Sequence, residues 1–386
     1  MKQDIFKENF PNEFFSDHFG KKYLFKENFV NQIASIMNVE ILENLLSKTN
    51  ICNNKNFIMM LDQKMLNYID YSSLSLDITG DSYRPNVDKV QNLISKGASI
   101  ILNDIEKHNQ GLLKIAKKLQ ELTKGRCQGN LYFSMASHKA FGPHFDMHDV
   151  FAIHFEGEKI WNIYENVEKN PINHNFFNFS PEERIKRAGK LIDQVTLKPG
   201  DLLYIPRGQF HDALASKNGA IHIAFGLTYF KPIDFMSSLW EKLVLNDFMR
   251  SDVDISYNRK DLKNLLIKFS KEIDTILNRD ETLTDLNNNI QNWPYEIKEY
   301  SIKDIVSEGI KYNLDKNVTF DKTGDKSYLI NGKNKVLIPV KFLKLIEYIF
   351  NKKSINYKSL SNEFKDISPD VINECIENLK KMKVLH

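Results

Sequence analysis

The sequence is poor in cysteine and has no long apolar run, and both deficits restrict the class of protein it encodes. The three cysteines, Cys52, Cys127 and Cys375, are widely spaced and odd in number, which argues against a disulfide framework and predicts reduced thiols. No segment approaches the apolar length of a membrane span, and the first residues lack the apolar core of a signal peptide. We therefore expect a cytoplasmic protein without a membrane-spanning segment.

A strong excess of charge of either sign is also absent. The formal net charge is +3 at pH 7, which by itself indicates no class of partner. Hydrophobic residues make up 42% of the chain and aromatic residues 11%, which is enough for packed cores and excludes wholesale disorder. At 386 residues the chain is longer than one ordinary domain, and we expect two or three domains.

Two stretches of sequence supply three residues that together predict a metal site. Gly-Pro-His-Phe-Asp at 142–146 contains His144 and Asp146, and the stretch 199–211, Pro-Gly-Asp-Leu-Leu-Tyr-Ile-Pro-Arg-Gly-Gln-Phe-His, ends at His211. Residues two apart on a strand point to the same side, so the first two side chains are expected to converge. Two imidazoles and one carboxylate on one face suit Fe(II) and leave positions open, as in non-haem oxygenases. These three residues are the candidate catalytic metal ligands.

A lysine that follows this pair along the chain extends the prediction. Lys159 begins what we predict to be the next strand, where its ammonium group could hold the distal carboxylate of a 2-oxo acid. The alternative, a solvated strand end, is a role that the flanking Glu156 and Glu158 already serve. The sequence therefore predicts an Fe(II)- and 2-oxoglutarate-dependent oxygenase, in which conversion of the oxo acid to succinate supplies an oxidant for a C–H bond.

The fold class predicted is mixed α and β, centred on a double-stranded β-helix, the cupin form of the jelly roll. From about residue 130 to 230 the sequence has short β-rich runs separated by turns, which is typical of this fold when inward positions carry polar ligands. Residues 150–155 and 159–164, joined by a Glu-Gly turn, predict a hairpin. Helical periodicity over 26–50 and 86–124 predicts helices before the barrel.

Several segments resemble one known family. Residues 144–161, His-Phe-Asp-Met-His-Asp-Val-Phe-Ala-Ile-His-Phe-Glu-Gly-Glu-Lys-Ile-Trp, are similar to the JmjC-type cupin domain of the ribosomal oxygenases, and 206–215 and 222–226 continue the match. Upstream, Phe14-Phe15 and the stretch 19–25, Phe-Gly-Lys-Lys-Tyr-Leu-Phe, resemble the start of the family's members. The likeness covers roughly the first 235 residues.

The resemblance implies roles for particular residues. It makes the three candidate ligands iron ligands and Lys159 the ion-pair partner of the 2-oxoglutarate tail. It places Asn130 where an amide hydrogen-bonds the co-substrate, and Tyr132 where a side chain contacts the substrate. Two positions depart from the family: His154 stands where Gln is usual, and the His-x-Thr-x-Ser of many members is His-Ile-Ala-Phe-Gly at 222–226. The second departure removes two hydroxyls near the substrate, so no characterised member's substrate is carried over to this chain.

The histidines also admit other interpretations. The His-x-Asp pair alone could be a buried hydrogen-bonded pair, although the later histidine and the lysine in register favour the metal site. His148 leaves open a Zn(II) site, because zinc favours histidine. His154 and His222 are more typical of core or supporting histidines than of ligands, and Tyr132 on a barrel strand is commonly a packing residue.

After residue 234 the periodicity is helical again, and a third pattern follows. We expect a JmjC/cupin domain over 1–234, a helical domain over 235–322 and a winged-helix domain over 323–386. Two apolar stripes in the middle domain exceed what one domain of this length buries easily, so a homodimer is predicted, as the resemblance also suggests. The stripes are Phe235, Leu239 and Leu243, and Leu262, Leu266 and Phe269. A hairpin with a turn at 331–332 and three helices, the last beginning at Ser368-Pro369, predict the winged helix.

The charge of the C-terminal part bears on nucleic-acid binding. Residues 326–386 contain 12 lysines and 6 acidic residues, a net charge of 12 − 6 = +6. However, the helix predicted to enter a groove carries Asp370, Glu374 and Glu377 at helical spacing, and carboxylates repel phosphate. We therefore expect no sequence-specific DNA binding, while ribosomal RNA, a leader peptide or another subunit stays open as a partner.

Two functional hypotheses follow. The favoured one is a cytoplasmic Fe(II)/2-oxoglutarate oxygenase that hydroxylates an amino-acid side chain in a protein or peptide, either a ribosomal protein or a small ribosomally made peptide. The protein or peptide preference is what the resemblance implies. Demethylation of methyl-lysine is a chemical neighbour, because hydroxylation of an N-methyl carbon releases formaldehyde. The alternative is a non-catalytic metal-binding cupin that acts as a nucleic-acid or partner-binding regulator, and the complete ligand set with Lys159 argues against it.

Overall fold

The computed structural model describes residues 4–48, 52–76, 80–135, 141–216, 219–293, 310–331 and 334–386. They fall into two compact units, one within residues 1–296 and the other within 297–386. Cys52, Cys127 and Cys375 are buried and free, as the reduced-thiol prediction requires. None of the helices in the described ranges is both long and apolar enough to cross a membrane.

The first unit is built around β-strands. In chain order these are β1 (Leu24–Lys26), β2 (Phe57–Leu61), β3 (Lys64–Met65), β4 (Ser72–Ser75), β5 (Ser82–Pro85), β6 (Ser99–Leu102), β7 (Arg126–Ser134), β8 (Asp149–Glu156), β9 (Lys159–Val167), β10 (Leu191–Leu197), β11 (Leu202–Ile205), β12 (Gln209–Ala215) and β13 (Ala220–Thr228). One antiparallel sheet has the order β1-β11-β8-β13-β7-β6-β2-β3, a second has the order β10-β9-β12, and β4 pairs with β5.

The two larger sheets pack against each other through their inner faces. Val150 and Ala152 of the first sheet belong to the same buried cluster as Trp161 and Ile163 of the second. Alternate residues of each strand therefore point into the space between the sheets, where polar side chains on those positions meet. The predicted cupin-type arrangement of mixed α and β structure is confirmed.

The predicted hairpin between 150–155 and 159–164 is wrong. Both strands exist, but β8 pairs with β11 and β13, whereas β9 pairs with β10 and β12. Gly157, with φ of 69°, forms the turn between them, and a Cβ there would lie 2.8 Å from the Cα of Ala220. The chain thus crosses from one sheet to the other at this turn, which places Lys159 and the inward residues of β8 on opposite walls of the barrel.

The helices of the first unit only partly follow the periodicity of the sequence. They are α1 (Ile33–Ile36), α2 (Val39–Leu46), α3 (Val87–Ser95), α4 (Gln110–Thr123), α5 (Pro181–Ala188), α6 (Phe235–Leu243), α7 (Arg259–Leu277) and α8 (Asp280–Gln291). The stretch predicted as helical over 86–124 is interrupted by β6, whose four residues are all buried. A short apolar run has no periodicity that separates a buried strand from a helix.

Helices α6 to α8 leave much of their apolar surface exposed. Leu239 and Ile276 are buried, but 64% of Trp240 and 64% of Leu266 are exposed. Leu262 and Phe269 of the second predicted stripe are exposed as well. These helices and the barrel lie within the same compact unit, and the domain boundary at 234 stays a prediction.

The second unit has its own apolar core. Its elements are β14 (Lys311–Asn313), β15 (Val318–Thr323), β16 (Lys326–Asn331), β17 (Asn334–Leu337), α9 (Val340–Lys352), β18 (Ser354–Asn356), α10 (Tyr357–Glu363) and α11 (Pro369–Lys381). The two strands of the predicted hairpin are present as β16 and β17, and Gly332 of the turn predicted at 331–332 lies outside the described residues. The Ser368 side chain accepts a hydrogen bond from the Val371 amide and caps α11, as predicted. β14 lies before residue 323, the predicted start of this domain, and β15 ends at that residue.

Candidate metal centre

The three predicted ligands lie together at one end of the space between the sheets. His144 and His211 exchange two backbone hydrogen bonds of 3.0 and 2.8 Å, which hold the loop before β8 against β12. His211 Nε2 is 3.5 Å from Asp146 Oδ2, and one ligand atom from each of the three residues lies within 4.8 Å of the others. His144 and Asp146 are in a loop with a single bridge to β12, so regular strand alternation, as the sequence suggested, is not what brings them together.

Hydrogen bonds at Nδ1 fix the tautomers of His144 and His211. His144 Nδ1 is 2.9 Å from the Gly142 carbonyl oxygen, and His211 Nδ1 is 2.9 Å from the Gln209 carbonyl oxygen. A carbonyl only accepts, so each Nδ1 carries the proton and donates it. The Nε2 lone pairs are then available to a metal, with the ring orientation fixed from behind as in many metal-binding histidines.

The charge states of the group suit a divalent cation. Burial, assisted by the neighbouring His144, lowers the pKa of His211 to about 4, so this ring is neutral at neutral pH. Burial tends to raise the pKa of Asp146, but His211, His148 and His144 outweigh it and lower the pKa, so the carboxylate is ionised. Two imidazoles and one carboxylate form the donor set of non-haem Fe(II) oxygenases, and the residues present fit that ion.

The turn before β12 is constrained on both sides. Gly208 has φ of 88°, and a Cβ at this position would lie 2.0 Å from the Glu168 carbonyl oxygen, so only glycine fits. Its amide donates to the Asp146 carbonyl at 3.0 Å, while the Arg207 amide donates to Asp149 Oδ1 at 2.8 Å. These bonds connect the loop that carries Asp146 to the strand that carries the third ligand.

Asp212 supports the centre and was not identified from the sequence. It is fully buried, accepts a hydrogen bond of 2.8 Å from Asn162 Nδ2 and one of 2.7 Å from the Tyr164 hydroxyl, and immediately follows His211. Asn162 and Tyr164 are on β9, so the carboxylate fixes the register of β12 beside the ligand. Local sequence does not predict these hydrogen bonds, because Asn162 and Tyr164 are about fifty positions away from Asp212 along the chain.

One pocket is lined both by the three metal ligands and by Lys159. Tyr132, Trp161 and His222 line the walls with apolar residues including Val150 and Ala224. Lys159 is only 4% exposed, which rules out the alternative of a solvated strand end. Burial lowers the pKa of Lys159 to about 7.

Of the two residues predicted to contact co-substrate or substrate, Tyr132 lines the pocket and Asn130 does not. Tyr132 lines the pocket, and its ring centroid is 6.0 Å from Lys159 Nζ. Asn130 is two residues earlier on β7, opposite Ala224 on β13, and is not among the described residues that line the pocket. Its Oδ1 atom is buried and has no hydrogen-bond partner within the described ranges.

The remaining histidines are not in the metal group. His148 lies over Gly226, where a Cβ would come within 2.3 Å of the imidazole ring, so the glycine makes room for this side chain. The cluster of described residues able to hold a metal does not include His148, which disfavours the Zn(II) alternative. His154 is fully buried, and burial lowers its pKa to about 4, so it is a neutral core histidine.

Comparisons with known proteins agree with this geometry. Residues 101–234 match the model of the JmjC domain family. The bifunctional lysine-specific demethylase and histidyl-hydroxylase NO66 of Dictyostelium discoideum is 28% identical over 238 residues, which cover 60% of this chain and 42% of that protein. The chain thus spans less than half the length of this curated relative.

Solved structures show the same fold along nearly the whole chain. The Escherichia coli ribosomal oxygenase YcfD, in complex with cobalt and succinic acid, superposes with a TM-score of 0.55 at 16% identity, covering 99% of this chain and 98% of that one. A second structure of YcfD, with cobalt and 2-oxoglutarate, gives a TM-score of 0.52 at 15% identity with the same coverage. Residues 101–234 are therefore similar to JmjC domains, and the chain resembles the demethylase and histidyl-hydroxylase NO66 in sequence and the ribosomal oxygenase YcfD in fold.

Proposed function

We propose that this protein is an Fe(II)- and 2-oxoglutarate-dependent oxygenase that hydroxylates an amino-acid side chain in a protein or peptide. The observation that carries the proposal is the pocket itself. Its lining includes the two imidazoles and the carboxylate of the metal group together with a buried lysine. A 2-oxo acid with a second carboxylate matches both, because its oxo acid group chelates the metal and its tail meets the lysine.

The charges of the pocket support a dianionic co-substrate. Asp146 is the one carboxylate among the described residues that line it, and Lys159 is buried without an anionic partner among them. A divalent ion and an ammonium group exceed the charge of Asp146 by two formal charges, which 2-oxoglutarate balances. YcfD, which shares the fold, has been solved with cobalt and 2-oxoglutarate.

The chain's own residues would divide the work as follows. His144, Asp146 and His211 hold the iron, and Lys159 holds the tail of the co-substrate. Tyr132 and Asn130 stay candidates for further polar contacts with co-substrate or substrate. Iron with 2-oxoglutarate and oxygen supplies the oxidation of a C–H bond to C–OH, with succinate and CO2 as co-products. Trp161 and the apolar walls keep bulk water from the centre.

A second cleft supports a polypeptide as the substrate. An open cleft of about 760 Å³ adjoins Asp146 from outside the co-substrate pocket, and His148, Lys231 and Asp234 are among its lining residues. Its lining includes the metal ligand Asp146, so a side chain presented there would lie beside the iron. NO66 is named as a histidyl-hydroxylase and lysine-specific demethylase, and YcfD as a ribosomal oxygenase. A ribosomal protein or a ribosomally made peptide is the substrate class we propose.

The outer parts of the chain are proposed to serve assembly and recruitment. The exposed apolar side chains of α6 to α8, including Trp240 and Leu266, support a homodimer through these helices. The hairpin and three helices of the second unit support a winged-helix domain that contacts a substrate or partner. Glu374 pairs with Lys341 and Glu377 with Lys380, so the acidic face of α11 is partly neutralised. We also propose that the second unit does not recognise a specific DNA sequence and that the protein is located in the cytoplasm.

The test is turnover of 2-oxoglutarate coupled to modification of a macromolecule. The purified protein, loaded with Fe(II), is incubated with 2-oxoglutarate and a cell extract, and the products are examined by mass spectrometry for added oxygen. The proposal expects succinate and a polypeptide heavier by one oxygen atom, both abolished in His211→Ala. Absence of succinate with an iron-loaded wild-type protein would contradict it.

A further inference from the structure

The three-stranded sheet of the second unit has an open edge at β17. Its strand order is β15-β16-β17, and within the described part of the chain no strand pairs with the other side of β17. Two apolar side chains on this strand, Val336 and Leu337, are 41% and 52% exposed. An exposed edge strand is a template for pairing with another chain, unless side chains protect it.

The backbone groups that face this edge follow from the register of the sheet. The Ile338 amide donates to the Ser327 carbonyl at 2.8 Å, so the backbone groups of Ile338 face β16. Alternate residues of an antiparallel pair exchange these bonds, so the groups of Val336 also face β16, while those of Lys335 and Leu337 face outward. Each of the two outward residues therefore presents an N–H and a C=O group to an incoming strand.

The lysine on β17 does not protect this edge. Lysine is one of the residues that commonly block an edge strand. Here Lys335 Nζ is 3.0 Å from Asp321 Oδ2 on β15 and 4.4 Å from the ring centroid of Tyr328 on β16. Both contacts hold the lysine side chain across one face of the sheet, which leaves the backbone edge of β17 uncovered.

An apolar cavity of about 240 Å³ adjoins the same edge. Its lining includes Val336 of β17, Phe342 of α9 and Leu379 of α11. An apolar cavity of about 150 Å³ holds a benzene molecule, so this one accommodates a large apolar side chain. Neighbouring residues on adjacent strands point to the same face of a sheet. A residue placed beside Val336 by an added strand therefore directs its side chain into the cavity.

The charge of the surroundings selects among possible occupants. Lys381 is the one charged residue among the described residues that line the cavity, and residues 326–386 carry a net charge of +6. A second copy of this unit is equally basic and is repelled. A nucleic acid has the complementary charge, but it has no peptide groups to pair with a strand edge. An acidic polypeptide satisfies the edge, the cavity and the charge together.

We propose that β17 and the adjoining cavity bind an extended, acidic polypeptide segment. The segment adds a strand to the edge of the sheet and places one large apolar side chain in the cavity. This specifies the partner chemistry of the recruitment role given to the second unit under the proposed function. Binding is measured without iron or 2-oxoglutarate, so its failure leaves the hydroxylation proposal intact, and failure of hydroxylation leaves this binding site intact.

The experiment uses fluorescein-labelled synthetic peptides and the full chain, with binding followed by fluorescence anisotropy. The probes have the sequence Asp-Glu-Thr-Val-x-Val-Thr-Glu-Asp, where x is Leu, Phe or Trp. We expect at least one of them to bind, and Ala at x to weaken binding on the order of tenfold, through loss of apolar burial. Replacing every acidic residue of the peptide by Lys should weaken binding at least as much. Absence of binding by all three acidic probes overturns the proposal.

Three variants locate the site on the protein. Leu337→Pro removes an outward N–H without removing a bond to β16, and it should weaken the probes on the order of tenfold. Lys381→Glu should weaken them similarly by reversing the charge beside the cavity. Lys344→Glu is the matched control, because it makes the same charge change at an exposed residue of α9 outside the cavity lining. Equal weakening by the two Glu variants would show attraction by net charge alone and overturn the proposal.

A modified peptide tests strand addition with the protein unaltered. Methylation of alternate backbone nitrogens removes the donors on one side of an extended peptide. Strand addition predicts that one alternate set abolishes binding and the other leaves it unchanged, because only one side of the peptide faces β17; equal effects of both sets overturn it. A fall in the light-scattering mass of the full chain on Leu337→Pro would show that a second copy occupies the edge, and it would overturn the proposal as well.

Discussion

Binding of 2-oxoglutarate should take up close to one proton at pH 8, because Lys159 is largely neutral in the ligand-free protein. Burial lowers the pKa of this amine to about 7. With that value roughly a tenth of the lysines carry a charge at pH 8 and roughly nine tenths at pH 6. A carboxylate in contact with the amine favours its charged form, so the pKa rises in the complex.

The magnitude follows from the difference between the two states. If the lysine is fully charged in the complex, the uptake is about 0.9 proton at pH 8 and about 0.1 proton at pH 6. The sign of the pH dependence is fixed by the same argument: affinity is highest below pH 7 and falls by about tenfold per unit above it until the pKa of the complex is reached. His211, whose pKa is lowered to about 4, is neutral at both pH values and takes up no proton.

Isothermal titration calorimetry in two buffers of different ionisation enthalpy measures this uptake directly. The protein is loaded with Co(II) so that no turnover occurs. Lys159→Met retains the apolar stem and removes the titrating group, so the uptake should vanish and the affinity should fall by roughly 3 kcal/mol, about a hundredfold. Tight binding by the wild type with no proton uptake at pH 8 would refute the assignment of a neutral, ligand-contacting lysine.

Further predictions concern the metal, the assembly and the second unit. His144→Ala or Asp146→Ala should weaken Fe(II) binding and abolish succinate formation, because two protein ligands hold Fe(II) poorly, whereas His148→Gln should leave Fe(II) affinity unchanged; metal titration decides between them. Light scattering at micromolar concentration should give the mass of a dimer, and Leu266→Glu should shift it to the monomer, since a charge would be buried at the interface; a monomeric wild type contradicts this. Removal of 297–386 should leave uncoupled 2-oxoglutarate turnover intact but reduce hydroxylation of a macromolecular substrate, and the full chain should bind random duplex DNA weakly and with strong salt dependence.

The residues that the sequence identified are those with a short-range pattern. His144 and Asp146 are two positions apart, His211 follows a Pro-Gly turn and a strand, and Lys159 begins a strand as expected. Spacing of this kind is preserved in any fold that keeps the local turns. The metal cluster and the buried lysine were therefore within reach of sequence reasoning, even though the first two ligands are in a loop.

The misassigned features depend on contacts that are distant in sequence. A Glu-Gly turn between two β-rich runs occurs both in hairpins and where the chain crosses to another sheet. Here the chain crosses from one sheet to the other at Gly157. Four buried residues at Ser99–Leu102 were absorbed into a helical pattern because their pairing with β2 and β7 is not local. The contact of His222 with Lys159 and that of Asp212 with Tyr164 have the same character.

The pocket joins the two sheets, so ligand binding and barrel packing are energetically linked. His211 and Lys159 come from the second sheet, whereas His222 comes from the first. Lys159 contacts the imidazole of His222, and burial of an ammonium group without an anion is costly. In the proposed function the co-substrate dianion pairs with the ammonium group of Lys159, and a divalent metal balances the charge of Asp146. Under the proposed function, the buried lysine and the carboxylate are thus the residues that bind the co-substrate and the metal.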